Sequence, residues 1–217
     1  VRGFLRYQLT AYPFAAPDFY EQMRRLLSLG ETRRTPLLKG PYVSLSQSFR
    51  QGAAIRDLVH DGVLSHPHMS NLVPYERVYA HQEAAMRAIA AGRTTLVSTG
   101  TGSGKTEAFL YPIISRCLTL RDEQAPAGIV SVIVYPMNAL AEDQLLRIRS
   151  LLAGTRVPFG MYVGKTPERR SDVAGERLPD GASSADYERS VARAKAENRS
   201  VAVHPAEERC SREEIRT

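Results

Sequence analysis

The segment from Thr94 to Leu120 constrains this chain more than any other. TTLVS (94–98) is short, apolar and β-branched, TGTGSGKT (99–106) is rich in glycine, and TEAFLYPIISRCLTL (106–120) is a helical run. A strand that ends in glycines and reopens at once as a helix predicts a phosphate-binding loop. Glycines let backbone N–H groups turn inward, a helix N-terminus favours anions, a lysine meets the β and γ charges, and a hydroxyl residue holds Mg²⁺. Lys105 and Thr106 fill the last two roles, with the backbone of Thr101, Gly102, Ser103 and Gly104 as the cradle. Only four lysines stand against 25 arginines, so a lysine at that position is informative. Thr99 takes the place of the first glycine of the GxxxxGK[ST] pattern.

The surrounding pattern alternates. A helix over 80–91 precedes the loop; an apolar strand IVSVIVY (129–135), a helix over 138–154 and a short strand over 157–163 follow it. Val/Ile runs of this kind are expected in strands covered on both faces, so the prediction is an α/β fold: a parallel sheet with flanking helices. Residues 1–72 read as a helical N-terminal appendage. One helix starts at Pro17-Asp18, runs through FYEQMRRLLSL and stops at Gly30, and a second spans 44–64. The lobe itself is expected over 73–217. Its pattern dissolves after Gly164 into a polar insertion, 165–204, expected to be solvated and to hold one polar helix at 184–198.

Composition narrows the class of function. The 217 residues are 43% hydrophobic and 24% charged, with no apolar run long enough for a membrane span and no secretory signal at the start. Cys117 and Cys210 have no second Cys or His at metal spacing near either, which argues against a zinc module or disulfide scaffold and for a reducing, cytoplasmic setting. Net charge is +6, with the excess in residues 1–165, as suits a protein that meets a polyanion. A catalytic carboxylate is not evident. Asp122-Glu123 follows a helix end, and Glu107 and Glu142-Asp143 read as exposed helix faces, although Glu107 joins the nucleotide-binding set through its place beside Thr106. Nucleotide binding is therefore expected, and turnover by this stretch alone is not.

With these residues in hand, the chain resembles the superfamily 2 DEAD/DEAH-type helicases. TGSGKT behind Thr99 is similar to their motif I, where Ala, Ser or Thr commonly replaces the first glycine. Tyr79-Ala80-His81-Gln82 resembles their glutamine motif, which implies that Gln82 reads the adenine edge and that Tyr75 or Tyr79 stacks on the base. YPMNALAEDQ (135–144) is similar to motif Ia and implies contacts from Pro136, Met137 and Asn138 to a nucleic-acid backbone; YVGKT (162–166) implies the same of Gly164, Lys165 and Thr166.

The resemblance covers residues 72–166 and, within the family, is closest to large bacterial helicases of DNA repair and of phage defence such as DISARM. It implies an incomplete RecA-like first lobe, ATP and Mg²⁺ as cofactors, DNA rather than RNA as partner, other subunits of a defence or repair complex, and no membrane. No DEAD or DEAH sequence, second lobe or arginine finger follows, and the first residue is Val, so the N-terminal part of a longer helicase is expected. The alternative is a nucleotide-binding regulatory module without motor activity, for which the phosphate loop alone would suffice.

Overall fold

A computed structural model of the chain describes Tyr7, residues 16–26 and residues 48–216, apart from Thr101, Ala127, Ser200 and Val201. The chain divides into two compact units, Val1–Ser48 and Phe49–Thr217.

In the first unit, α1 (Pro17–Leu26) begins at the expected proline. Asp18 lies in its first turn and Arg24 and Arg25 in its last, the arrangement that complements the helix dipole. The expected stop at Gly30 lies outside the described residues.

The second unit opens with β1 (Gln51–Ala54), which pairs antiparallel with β2 (Arg77–Tyr79). This corrects the single helix expected over 44–64: among the described residues, 51–54 are strand and only α2 (Ile55–His60) is helical, and α3 (Met69–Leu72) follows. Gly52 makes the pairing possible, because a Cβ there would lie 3.0 Å from the Tyr79 carbonyl carbon and 3.1 Å from the Ala80 Cα. β2 runs directly into α4 (Ala80–Ala90), which packs on α5 (Lys105–Asp122). Ile55, Leu58, Leu64 and Met69 share one apolar core with Met86 of α4 and Leu110, Ile114 and Leu118 of α5. Residues 49–72, read by pattern as appendage, thus pack into the same core as the helix that follows the phosphate loop.

Then come α6 (Asn138–Leu152), β3 (Phe159–Gly160), β4 (Glu176–Arg177), α7 (Ser184–Ala196), β5 (Val203–His204), β6 (Glu208–Arg209) and α8 (Arg212–Arg216). β3 pairs parallel with β6, and β4 with β5. The polar stretch 165–204 is therefore not a solvated excursion. β4, α7 and β5 form a small βαβ unit, and Leu178, Tyr187, Ala194 and Val203 build a second core with Ala153. The polar helix does form there. Ser183 starts it, with its backbone N–H donating to the Asp186 carboxylate and its hydroxyl accepting from the Asp186 N–H.

The mixture of helices and short parallel pairs is that of a partial RecA-like domain. Its two most apolar segments behave differently from expectation. Residues 93–100 and 129–135 form no strand and pair with none among the described residues. Ile133 packs on the first core, whereas Val132 and Val134 on either side are 74% and 84% exposed, and Leu96 is 93% exposed. Exposure alternates over 95–100 and 132–135, as along a strand with one face more covered than the other.

Candidate nucleotide and nucleic-acid site

The glycine loop joins residues 94–98 to α5. Gly102 and Gly104 have φ of 74° and 72°, the left-handed region where side chains are disfavoured. At Gly104 space is missing as well: a Cβ would fall 2.3 Å from Gln82 Nε2 and 3.0 Å from Glu107 Oε2. Gly104→Ala is therefore expected to destabilise the loop by about 1–3 kcal/mol and to weaken nucleotide binding, while Ala at the roomy Gly128 does neither. Equilibrium unfolding and a fluorescent-nucleotide titration of the pair check this, and equal behaviour of the two variants would contradict it.

Lys105 Nζ donates to the carbonyls of Thr99 (2.8 Å) and Gly100 (2.7 Å). The Thr99 and Ser103 hydroxyls are hydrogen-bonded at 2.5 Å. A threonine in place of the first glycine thus closes the loop through both its hydroxyl and its carbonyl. Thr106 lies half-buried in the first turn of α5. Thr101, a predicted member of the cradle, lies outside the described residues.

The first turn of α4 grips the other side of the loop. His81 Nε2 donates to the Ser103 carbonyl at 2.8 Å, and Gln82 Nε2 donates to the Gly104 carbonyl at 2.8 Å. Gln82 Oε1 accepts from the Tyr79 N–H at 2.7 Å, and the side chain is buried. Both polar atoms of Gln82 are thus engaged with protein, tying β2 and α4 to the phosphate loop. Tyr79 stacks on His81 at 5.7 Å and tilts against Phe49 at 5.3 Å, whereas Tyr75 is largely exposed. Sequence reasoning passed over His81, although its place beside Gln82 was the available signal.

Glu107 differs from expectation. It is buried rather than on an exposed face, and Arg147 of α6 forms an ion pair with its Oε1. Its Oε2 is buried without a hydrogen-bond partner among the described residues, beside Gly104. Glu142 and Asp143 are exposed, as expected. Asp122 ends α5 and accepts from His66 at 2.8 Å, consistent with a solvated turn.

Of the residues expected to meet nucleic acid, Pro136, Met137 and Asn138 are exposed at the start of α6. Gly164 and Lys165 are exposed after β3. Thr166 is buried instead, and its hydroxyl accepts from the Val163 N–H (2.9 Å) and donates to the Met161 carbonyl (3.0 Å), closing the turn. Arg212 of α8 lies over the Tyr162 ring at 5.1 Å, adding a cation beside Gly164 that the sequence pattern did not single out. A cleft of about 190 Å³ opens next to this turn, between α6 and β6, with Lys165, His204, Glu208 and Cys210 in its wall.

The loop fits a nucleoside triphosphate with Mg²⁺: two left-handed glycines, a lysine already donating to carbonyls, and a hydroxyl residue at a helix start. Among the described residues, no helix is long and apolar enough to cross a membrane.

Comparison with known proteins agrees with this arrangement. The family model for the DEAD/DEAH box helicase matches residues 79–179. The chain is 32% identical to Druantia protein DruE of Escherichia coli over 169 residues, which is 67% of this chain and 9% of that protein. It is 40% identical to DEAD-box ATP-dependent RNA helicase 29 of Oryza sativa over 83 residues, 38% of this chain and 9% of the relative. To the ATP-dependent RNA helicase vasa of Drosophila melanogaster it is 30% identical over 120 residues, 55% and 17% of the two chains. The chain thus spans less than a fifth of each of these three relatives. No solved structure matches it. With its glycine loop opening α5, and the first turn of α4 clasping that loop, residues 79–179 of the chain belong to the DEAD/DEAH box helicase family.

Proposed function

We propose that this chain is the ATP-binding part of an ATP-dependent DNA helicase or translocase. In this reading Lys105 meets the β and γ phosphates, and the backbone of Thr101, Gly102, Ser103 and Gly104 cradles them. Thr106 holds Mg²⁺, with Glu107 beside it. Tyr79 and Gln82 form the base side of the pocket. Pro136, Met137, Asn138, Gly164, Lys165 and Thr166 mark the two strand-end turns that follow a phosphate backbone, Thr166 by shaping its turn. Residues 73–217 act as the nucleotide-holding lobe, with residues 49–72 completing its core, and the residues before them as its N-terminal appendage. ATP supplies the phosphoryl group whose hydrolysis drives movement; this chain's own residues bind and orient it.

The observation that carries the motor reading is the Glu107–Arg147 ion pair. It joins the first turn of α5, beside the phosphate loop, to α6, whose N-terminus presents Pro136–Asn138. A simple nucleotide switch has no need for that link between a nucleotide end and a backbone-following end. The match to Druantia protein DruE over 67% of the chain favours a bacterial defence system over other settings, and a cytoplasmic location and other subunits of a defence or repair complex belong to the same reading.

The test is binding of single-stranded DNA and of RNA of the same sequence to the full-length protein, over a salt series, with and without a non-hydrolysable ATP analogue. Salt-steep binding of DNA that responds to nucleotide is the expected result. Preference for RNA, which the names of the plant and fly relatives specify for those proteins, would reassign the track. Affinity indifferent to nucleotide would return the chain to a switch module.

A further inference from the structure

Outside the nucleotide site, the turn between β5 and β6 gathers three side chains of different chemistry. His204, Glu208 and Cys210 each direct one ligand-type atom to a common point, and these atoms all lie within 4.8 Å of one another. His204 and Glu208 are buried and Cys210 is half-buried. By spacing alone the pair Cys117 and Cys210 offered no metal pattern. The fold supplies one locally, because the turn at 205–207 returns the chain so that positions 204, 208 and 210 face one another.

We propose that His204 Nδ1, a Glu208 carboxylate oxygen and Cys210 Sγ form a binding site for a thiophilic divalent cation, zinc. Imidazole, carboxylate and thiolate together are the donor set zinc accepts, and three protein donors leave a fourth position of a tetrahedron open. The three donors and Lys165 line the same cleft, through which an ion could enter.

The imidazole is oriented as a ligand would be. Its Nε2 donates to the Ala174 carbonyl at 3.1 Å, which turns Nδ1 toward Glu208 Oε2, also at 3.1 Å. A backbone carbonyl on the far nitrogen is the outer partner that fixes the tautomer of metal-bound histidines. Gly175 permits that approach: at φ 127° its missing Cβ would lie 2.8 Å from His204 Nε2 and 2.5 Å from the Ala202 carbonyl oxygen.

Arg149 is the competitor for this point. It donates to both Glu208 oxygens, at 2.6 and 2.7 Å, and its Nη2 lies 3.1 Å from His204 Nδ1. Zinc entry displaces Nη2 from Nδ1 and engages Glu208 Oε2, the oxygen that faces His204, while the guanidinium holds the other oxygen, Oε1. The Cys210 thiol gives up its proton to solvent on binding, and any proton on Nδ1 leaves as well, so uptake releases protons. Zinc bound to one thiolate and one carboxylate is electrically neutral beside Arg149.

The experiment titrates the whole chain, purified in chelator, with Co²⁺ as the spectroscopic probe and then with Zn²⁺. One equivalent of Co²⁺ with thiolate-to-cobalt charge-transfer absorption, displaced by one equivalent of Zn²⁺, is expected. Cys210→Ser should abolish that absorption and weaken Zn²⁺ at least about tenfold, whereas Cys117→Ser should leave both unchanged. Absence of the band in the unaltered chain, its survival in Cys210→Ser, or its loss in Cys117→Ser overturns the site. The first of these is read on unaltered protein, so a variant that misfolds does not shield the proposal. DNA binding plays no part in the readout, so failure here leaves the helicase reading standing.

Discussion

Lys105→Ala in the full-length protein is expected to lower ATP affinity by about 10- to 100-fold and nucleic-acid-stimulated hydrolysis by at least about 100-fold. The lysine ammonium donates to two loop carbonyls, of Thr99 and Gly100, so its donors already sit at the mouth of the loop. Transfer of those donors to phosphate oxygens exchanges neutral acceptors for anionic ones, and each charge-assisted hydrogen bond contributes roughly 1.5–3 kcal/mol. Transition-state stabilisation is lost in addition, because a donor aimed at developing charge accounts for about 10²–10³ in rate. Lys105→Arg keeps the charge but not the compact ammonium, and should recover binding more than turnover. Nucleotide titration, a phosphate-release assay and circular dichroism on the same preparations separate loss of function from loss of fold. Unchanged ATP affinity in a folded Lys105→Ala protein would remove the phosphate assignment.

The second large effect concerns stability. Arg149 and Glu208 form a two-point ion pair between α6 and β6, with side chains only 11% and 4% exposed. Burial pushes the Glu208 carboxyl up, but the hydrogen bonds from His204 and Arg149 bring it below its ordinary value, so it is held as the anion. Arg149→Ala leaves that anion buried with one partner fewer, which costs about 3–5 kcal/mol. For a chain of this size that corresponds to a fall in Tm of roughly 6–20 °C. The double variant Arg149→Met with Glu208→Gln removes both charges and should recover most of the loss, since the desolvation cost disappears with them. Urea unfolding in chelator, with the wild-type and both variants side by side, measures this. A single-variant loss below about 1 kcal/mol would show that solvent reaches the pair.

Legibility from sequence differed sharply between the two halves of the second unit. Helices α4, α5 and α6 and the glycine loop could be read because their signals are local: a 3.6-residue apolar period, glycines where positive φ is required, and a lone lysine. The 44–64 segment could not, since a short polar stretch with Gly52 becomes strand only when β2 lies alongside it. Likewise, 165–204 lacks strong periodicity, and its two-residue strands gain order from parallel partners and from apolar cover by Tyr187 and Leu178, both long-range effects.

The sequence by itself determined the phosphate loop and the helix that follows it, because backbone sterics and a helix N-terminus are properties of neighbouring residues. Only the tertiary structure decided that Gln82 and His81 clasp the loop, that Glu107 is buried against Arg147, and that His204, Glu208 and Cys210 share one point. Those contacts join residues whose pairing depends on how separate elements pack or on how a turn closes. It also decided that the apolar runs around Leu96 and Val132 keep an open face, because hydrophobicity states only that a segment gains from burial, and the packed neighbours determine which side receives it.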